Sequence, residues 1–326
     1  MGHTLKLSIY SFFVNDKKRG KPINLGDCFS TIYGKNESDT GDAFDYDYNE
    51  YLRLFGLDVS DMAGGQFLEN VEATKAMAIE SYSIFPKSFV VDGMIKGGLT
   101  GIDQDIYKKN NSIVPESKID KTKVASLPYY FKMWLPIDSQ VGIIMVQSFT
   151  ETGVTSLFVD VIKKYFFNKG FNLHTHVHVP DDVKESFKNR SEVKQITLIK
   201  TKLSKKSRSS LNQVFADFQN LKITVKITGF RSSIQDIIEN LSKNPIVVPD
   251  FEMEGASSYE TVAVYEDNHG HQSSAKFSKN VDITPTILLD DYLKEDGKES
   301  VDLSKIRDYT NTVLNTIKGE LEYKPL

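Results

Sequence analysis

"YYFKMWLPI" (129–137) and "VGIIMVQSF" (141–149) are separated only by "DSQ". Two β-rich runs around a three-residue polar break predict a hairpin. The second run is apolar at both alternating sets of positions, so it is expected to be a central strand covered on both faces. Downstream, Val154, Leu157, Phe158, Val161, Ile162, Tyr165 and Phe166 recur at helical intervals and form one wide apolar face. Thr152 is the expected N-cap of that helix and Gly170 its stop. "FNLHTHVHV" (171–179) follows as a strand, so residues 141–179 form a strand–helix–strand unit.

Working outward, residues 4–14 predict a first strand. "YNEYLRLFGL" (48–57) has helical spacing at Tyr48, Tyr51, Leu52 and Phe55. "FLENVEATKAMAIE" (67–80) predicts another helix, and the glycines of "SFVVDGMIKGGLTG" (88–101) predict hairpins. The polar stretch "KKNNSIVPESKIDKTK" (108–123) is the expected domain boundary. Beyond 179, "KQITLIKTKL" (194–203) and "LKITVKITG" (221–229) are strands, with short helices expected around 211–218 and 234–241. A hairpin near 259–278 and a helix over 302–320, with Leu303, Ile306, Tyr309, Val313 and Ile317 inward, complete the pattern. The expected fold is α+β, with a mixed β-sheet in residues 120–245 and flanking amphipathic helices. It divides into an N-terminal α+β region (1–112) and a larger C-terminal α/β region (122–326).

Apolar residues make up 40% of the 326-residue chain and charged residues 26%, enough for a packed core and against disorder. Cys28 has no second cysteine to pair with, which fits a reducing compartment and a cytoplasmic location. The apolar runs are far shorter than the roughly 20 residues of a membrane helix. "MGHTLKLSIYSFF" lacks the parts of a signal peptide. Lys6 stands where an N-myristoylation motif needs Ser or Thr. No membrane partner is expected.

The net charge of −4 conceals a segregation. Ten acids lie between Glu37 and Glu72, with Arg53 the only cation among them. From Lys194 to Arg231 the balance reverses, and no acid occurs between Lys194 and Ala216. Lys200 and Lys202 share one face of a predicted strand, Lys222 and Lys226 share a face of another, and "SKKSRSS" adds Lys205, Lys206 and Arg208 as a loop. If the two strands are neighbours, the three groups merge into one positive surface able to neutralise the phosphates of DNA or RNA. The alternative is an ordinary solvated sheet face with a solubilising loop. The acidic, tyrosine-bearing segment 37–72 is a candidate docking surface for a protein partner.

Two further constellations could carry chemistry. His174 and His176 lie on one strand face, and two such neighbours can share a metal ion, whereas His174 and His178 are about 13 Å apart at the backbone. His269 and His271, in "EDNHGHQ" (266–272), could complete a Zn2+ site; otherwise the histidines mark a wet strand face and a polar turn. Asp181, Glu192 and Lys194 fit the loose PD…ExK spacing of many nucleases, in which the acids hold Mg2+ and the lysine assists the attacking water. Against this, "DDVKESFKN" (181–189) has helical composition, and Asp181 suits a helix's first turn. No other cofactor is expected. The chain carries no phosphate-binding glycine loop, dinucleotide fingerprint or nucleophile elbow.

The stretches "LPYYFKMWLPIDSQVGIIMVQSFTETGVTSLF" (127–158) and "DVKESFKNRSEVKQITLI" (182–199) resemble uncharacterised bacterial proteins of the phage-defence or abortive-infection type. The resemblance covers about a quarter of the chain and transfers no catalytic residue. It implies a bacterial antiphage setting in which nucleic acid is a common target. The leading expectation is a nucleic-acid-binding defence component that is one subunit of a larger assembly. A metal-dependent nuclease and a non-enzymatic interaction module are the alternatives.

Overall fold

The computed structural model describes residues 3–34, 48–61, 66–72, 74–108, 115–149, 152–190, 192–200, 205–218, 221–233, 236–237, 260–266, 272–277 and 287–323. The chain forms two compact units, Met1–His178 with Ile287–Leu326, and Val179–Thr286. The second is inserted into the first.

The first unit begins with β1 (Leu5–Asp16), β2 (Pro22–Ile23), α1 (Leu25–Tyr33) and α2 (Tyr48–Asp61). It continues through β3 (Leu68–Glu69), β4 (Lys75–Phe85), β5 (Val90–Leu99), β6 (Gln104–Ile106) and β7 (Ser117–Ile119). Then come β8 (Ala125–Trp134), β9 (Val141–Phe149), α3 (Thr155–Asn168) and β10 (Phe171–Val177). The second unit holds α4 (Asp181–Arg190), β11 (Glu192–Lys200), α5 (Lys205–Leu211), β12 (Ile223–Ser233), β13 (Glu260–Glu266) and β14 (Gln272–Phe277). The chain re-enters the first unit as β15 (Ile287–Leu289) and α6 (Leu303–Glu320).

The large sheet runs β10-β1-β9-β8-β5-β4-β3, with β2 and β15 also on β1. The α+β class is as expected, but every described ladder is antiparallel rather than mixed. The strand–helix–strand unit explains this. β9 and β10 run parallel to each other, but β1 lies between them and pairs antiparallel with both. The predicted hairpin is β8–β9, and in β9 every residue from Gly142 to Phe149 is buried.

Alternation along β8 feeds two layers. Phe131 meets Phe158 of α3, with ring centroids 5.0 Å apart. On the same face Phe29 of α1, Phe55 of α2 and Phe166 of α3 lie 5.4–6.2 Å from one another. Such aromatic pairs contribute about 0.5–1.5 kcal/mol each beyond their area. On the opposite face Tyr130, Lys132 and Trp134 meet α6 and Tyr323. The inward stripe of α6 is Ile306, Thr310, Leu314 and Ile317; Leu303, expected inside, is exposed. A buried polar cluster under α6 accounts for Thr310. Arg307 grips Asp92 through Nε–Oδ2 and Nη2–Oδ1 bonds of 2.8 Å, and the Tyr130 hydroxyl donates to Asp92 Oδ2 at 2.8 Å. Lys132 Nζ donates to the Arg307 carbonyl (3.2 Å) and to Asn311 Oδ1.

Burial lowers the pKa of Lys132 from 10.5 to about 8. Below pH 8 both folded and unfolded chains are protonated here, and the cost of the buried charge is present in full. Between about 8 and 10.5 the unfolded chain holds a proton that the folded one has released, so stability rises with pH. The difference in unfolding free energy between the wild type and Lys132→Met should therefore shift in favour of the wild type between about pH 7 and about pH 10. Denaturant titrations of both chains measure it; a constant difference would refute the assignment.

Four expectations change. Residues 67–80 form β3 and the start of β4 instead of a helix, because ten positions of β4 and β5 pair and tertiary pairing overrides the helix propensity of Ala, Glu and Lys. Gly93, Gly97 and Gly98 lie within strand β5, the hairpin turn precedes them at 86–89, and only Gly101 sits in a bend after the strand, with φ +76°. The segment 108–123 separates no domains, since β5 and β8 on either side of it pair from Val90–Trp134 to Leu99–Ala125. α3 begins as expected, but Val154 occupies its N-cap with no side-chain bond, while Thr152 Oγ1 lies 3.3 Å from the Tyr129 hydroxyl.

Candidate functional site

The basic region falls in the second unit, whose sheet runs β12-β11-β13-β14. Val193, Ile196, Leu198 and Ala263 are buried. β12 alternates as expected, with Ile223, Val225 and Ile227 half-buried and Thr224, Lys226 and Thr228 exposed. Lys222, just before the strand, is exposed as well.

The strands β11 and β12 are neighbours, as a merged surface requires, but their register separates the lysines. Residues directly opposite in a ladder share a face. Lys226 stands opposite Thr197 and Thr224 opposite Ile199, whereas Lys200 stands opposite Ile223, in the row adjoining Leu198–Val225. Position 200 therefore belongs to the face of Leu198 and Val225, and Lys226 to the other. Lys202 lies outside the described residues.

The predicted loop "SKKSRSS" is largely helix α5, on which Lys205 and Lys206 are exposed. Arg208 is not a free surface cation. It is half-buried, and its Nη1 donates to the Phe218 carbonyl at 2.8 Å, tying α5 to the turn that follows. That turn exposes Val214, Phe215 and Phe218, and the two rings lie 6.4 Å apart. Asp217 Oδ1 lies 3.9 Å from Lys205 Nζ with both side chains largely in water, so it screens that charge weakly.

The nuclease pattern is drawn apart. Asp181 opens α4 and Glu192 follows its far end, and ten helical residues span about 15 Å. Asp181 pairs with Lys184 at 2.9 Å and Glu192 with Arg231 at 3.3 Å. Lys194 stands at a register irregularity in both ladders of β11. His174 and His176 lie exposed on β10, at one end of the large sheet, and both stack on Phe13, with centroids 4.9 and 5.9 Å away. His174 Nε2 is 3.4 Å from Asn15 Nδ2. His269 and His271 lie outside the described residues. Among the described residues, no group of three or more His, Cys, Asp or Glu could hold a metal ion.

The acidic segment 37–72 is only partly described. Its α2 portion turns Tyr48, Tyr51, Leu52 and Phe55 into the core, so these tyrosines are packing residues and not docking groups. Glu50 pairs with Arg53, and Asp58 accepts from Tyr33 (3.0 Å) and pairs with Lys169 (3.0 Å). No described helix is long and apolar enough to cross a membrane.

Sequence reasoning missed one concave feature, a cleft of about 550 Å3 in the first unit between the ends of β4, β5 and β8 and the loop before α3. Its lining residues come from five separate segments, so no local pattern announces it. No protein-family model, curated protein or solved structure matches the chain.

Proposed function

We propose that the second unit binds single-stranded nucleic acid, DNA or RNA, through the helix–turn segment 205–218 and the outer face of β12. One observation carries this reading. Exposed lysines and exposed phenylalanines occur together within fourteen residues, Lys205 and Lys206 on α5, Phe215 and Phe218 in the turn. Lysines neutralise phosphates without reading sequence, and exposed rings offer faces on which unpaired bases stack. Duplex DNA hides those base faces, so a single strand suits the pair better. Lys222 and Lys226 extend the positive surface along β12. Buried Cys28, its thiol pKa raised chiefly by burial, fits the reducing cytoplasm, where such strands occur. The antiphage setting rests on the sequence resemblance alone.

The two residue types should fail differently in fluorescence-anisotropy titrations against a labelled oligonucleotide. Lys205→Ala with Lys206→Ala should flatten the log–log salt dependence by about 0.7 per lost phosphate contact. Phe215→Ala with Phe218→Ala should weaken binding by about 1–3 kcal/mol per unstacked base and leave the salt slope in place. Arg208 is excluded because its loss would free the turn. Wild-type affinity and slope in both variants would sink the proposal and leave the lysines a solubilising role.

A further inference from the structure

The geometry points to a second binding site, in the first unit, for a small amphipathic anion: an acidic head group on an apolar body, held at the end of the cleft lined by Lys75 and Gly153, beside Lys6 and the N-terminus of α3. This site is independent of the nucleic-acid reading.

Charge is the first argument. Lys75 Nζ donates to the Gly153 carbonyl at 2.9 Å and lines the cleft. Lys6, half-buried on β1, stands opposite Ser148 in the β1–β9 ladder. Lys6 has its pKa lowered by burial and then by the charge of Lys75, so the two ammonium groups feel each other. Neither makes an ion pair with an acid among the described residues. Two like charges held together, with no counter-charge among the described residues, define a place that a bound anion would stabilise.

The same place has unmet hydrogen-bonding capacity. α3 has fourteen residues and no side-chain cap at Val154, so its first N–H groups and the positive end of its dipole face the same loop. Among the described residues, the Oγ of fully buried Ser148 and the buried Oγ1 of Thr155, in the first turn of α3, have no hydrogen-bond partner. Both hydroxyls lie beside Gly153, since a Cβ built there would be 3.4 Å from Ser148 Oγ and 3.8 Å from Thr155 Oγ1. Buried hydroxyls without partners are uncommon, and two around one backbone point beside two lysines indicate a missing acceptor.

The rest of the ligand follows from the walls. Leu99, Ile119, Val124, Ala125 and Leu127 make the cleft largely apolar, and Leu99 and Leu127 are exposed within it. Tyr129 and Thr152 add one polar edge. A volume of about 550 Å3 lies in the range of small-molecule pockets. An inorganic ion alone would leave those walls wet.

Calorimetric titration of the full chain with decanoate, decyl phosphate and decanol tests the idea. Both anions should bind, with decanol weaker by about tenfold or more, the scale of a charge-assisted contact. The ratio between decanoate and decyl phosphate tells a carboxylate head from a phosphate one. Lys75→Met should cost a similar factor for the anions and none for decanol. Lys6→Met and Ser148→Ala, on other strands, give the same reading if Lys75→Met does not fold. Decanol binding as tightly as the anions, no binding by any probe, or unchanged anion affinity in folded variants would overturn the assignment.

Discussion

Asp92→Ala should lower the unfolding free energy of the first unit by about 3–5 kcal/mol, the cost of breaking a buried ion pair by removing one partner. Asp92 has no solvent exposure, and it accepts three hydrogen bonds, two from Arg307 and one from Tyr130. Its removal strands a guanidinium and a phenol together. Arg307 is only about a quarter exposed, and it keeps its position over the Phe85 ring, 5.0 Å from the centroid, so water replaces little of what is lost. Because Arg307 sits on α6 and Asp92 on β5, the damage is to the docking of that helix. Urea denaturation followed by Trp134 fluorescence reads it directly, since Trp134 packs against Tyr323 just beyond α6. A loss under about 1 kcal/mol would mean that the apolar stripe Ile306, Leu314 and Ile317 holds α6 unaided.

Gly93→Ala should be comparably severe, at more than about 3 kcal/mol, although it adds a single methyl group. A Cβ at position 93 would lie 2.0 Å from the Ser81 carbonyl oxygen and 2.8 Å from Tyr82 Cα. Both are backbone atoms of the neighbouring strand, so no rotamer change relieves the clash. The β4–β5 ladder already shifts register between Ile79 and Ser81, and β4 could only move away by giving up pairs. Gly170 provides the contrast. It has φ +95° and open space around it, so Gly170→Ala carries only the left-handed penalty of roughly 1–2 kcal/mol. Equal melting temperatures for the two variants would show that crowding at Gly93 relaxes easily.

The parts of the fold that were legible are those written in consecutive residues. The β8–β9 hairpin and the α3 stripe announce themselves because one segment carries the whole pattern. Residues 67–80 misled because Ala, Glu and Lys favour a helix locally, and the partner that makes them a strand is β5. The glycines of β5 looked like turns because a sequence does not show which backbone passes close by. The basic surface was half legible. Alternation on β12 was readable, but the opposition of Lys200 to Ile223 depends on a register fixed by pairing. Lys205 and Lys206 lay in view, but Phe215 and Phe218 read as part of a short helix and are exposed instead, and Asp92 and Arg307 are 215 positions apart and share no local signal.

The inserted second unit has a consequence for synthesis. β8 is made early, but α6, which covers Tyr130, Lys132 and Trp134, is made only after the whole of 179–286. At about 5–20 residues per second, that aromatic face waits several seconds or more on the ribosome before its cover emerges. The second unit can close during the wait, because its strands pair among themselves. The first unit is thus begun first and completed last, and the uncovered side of β8 is the surface that a chaperone would meet.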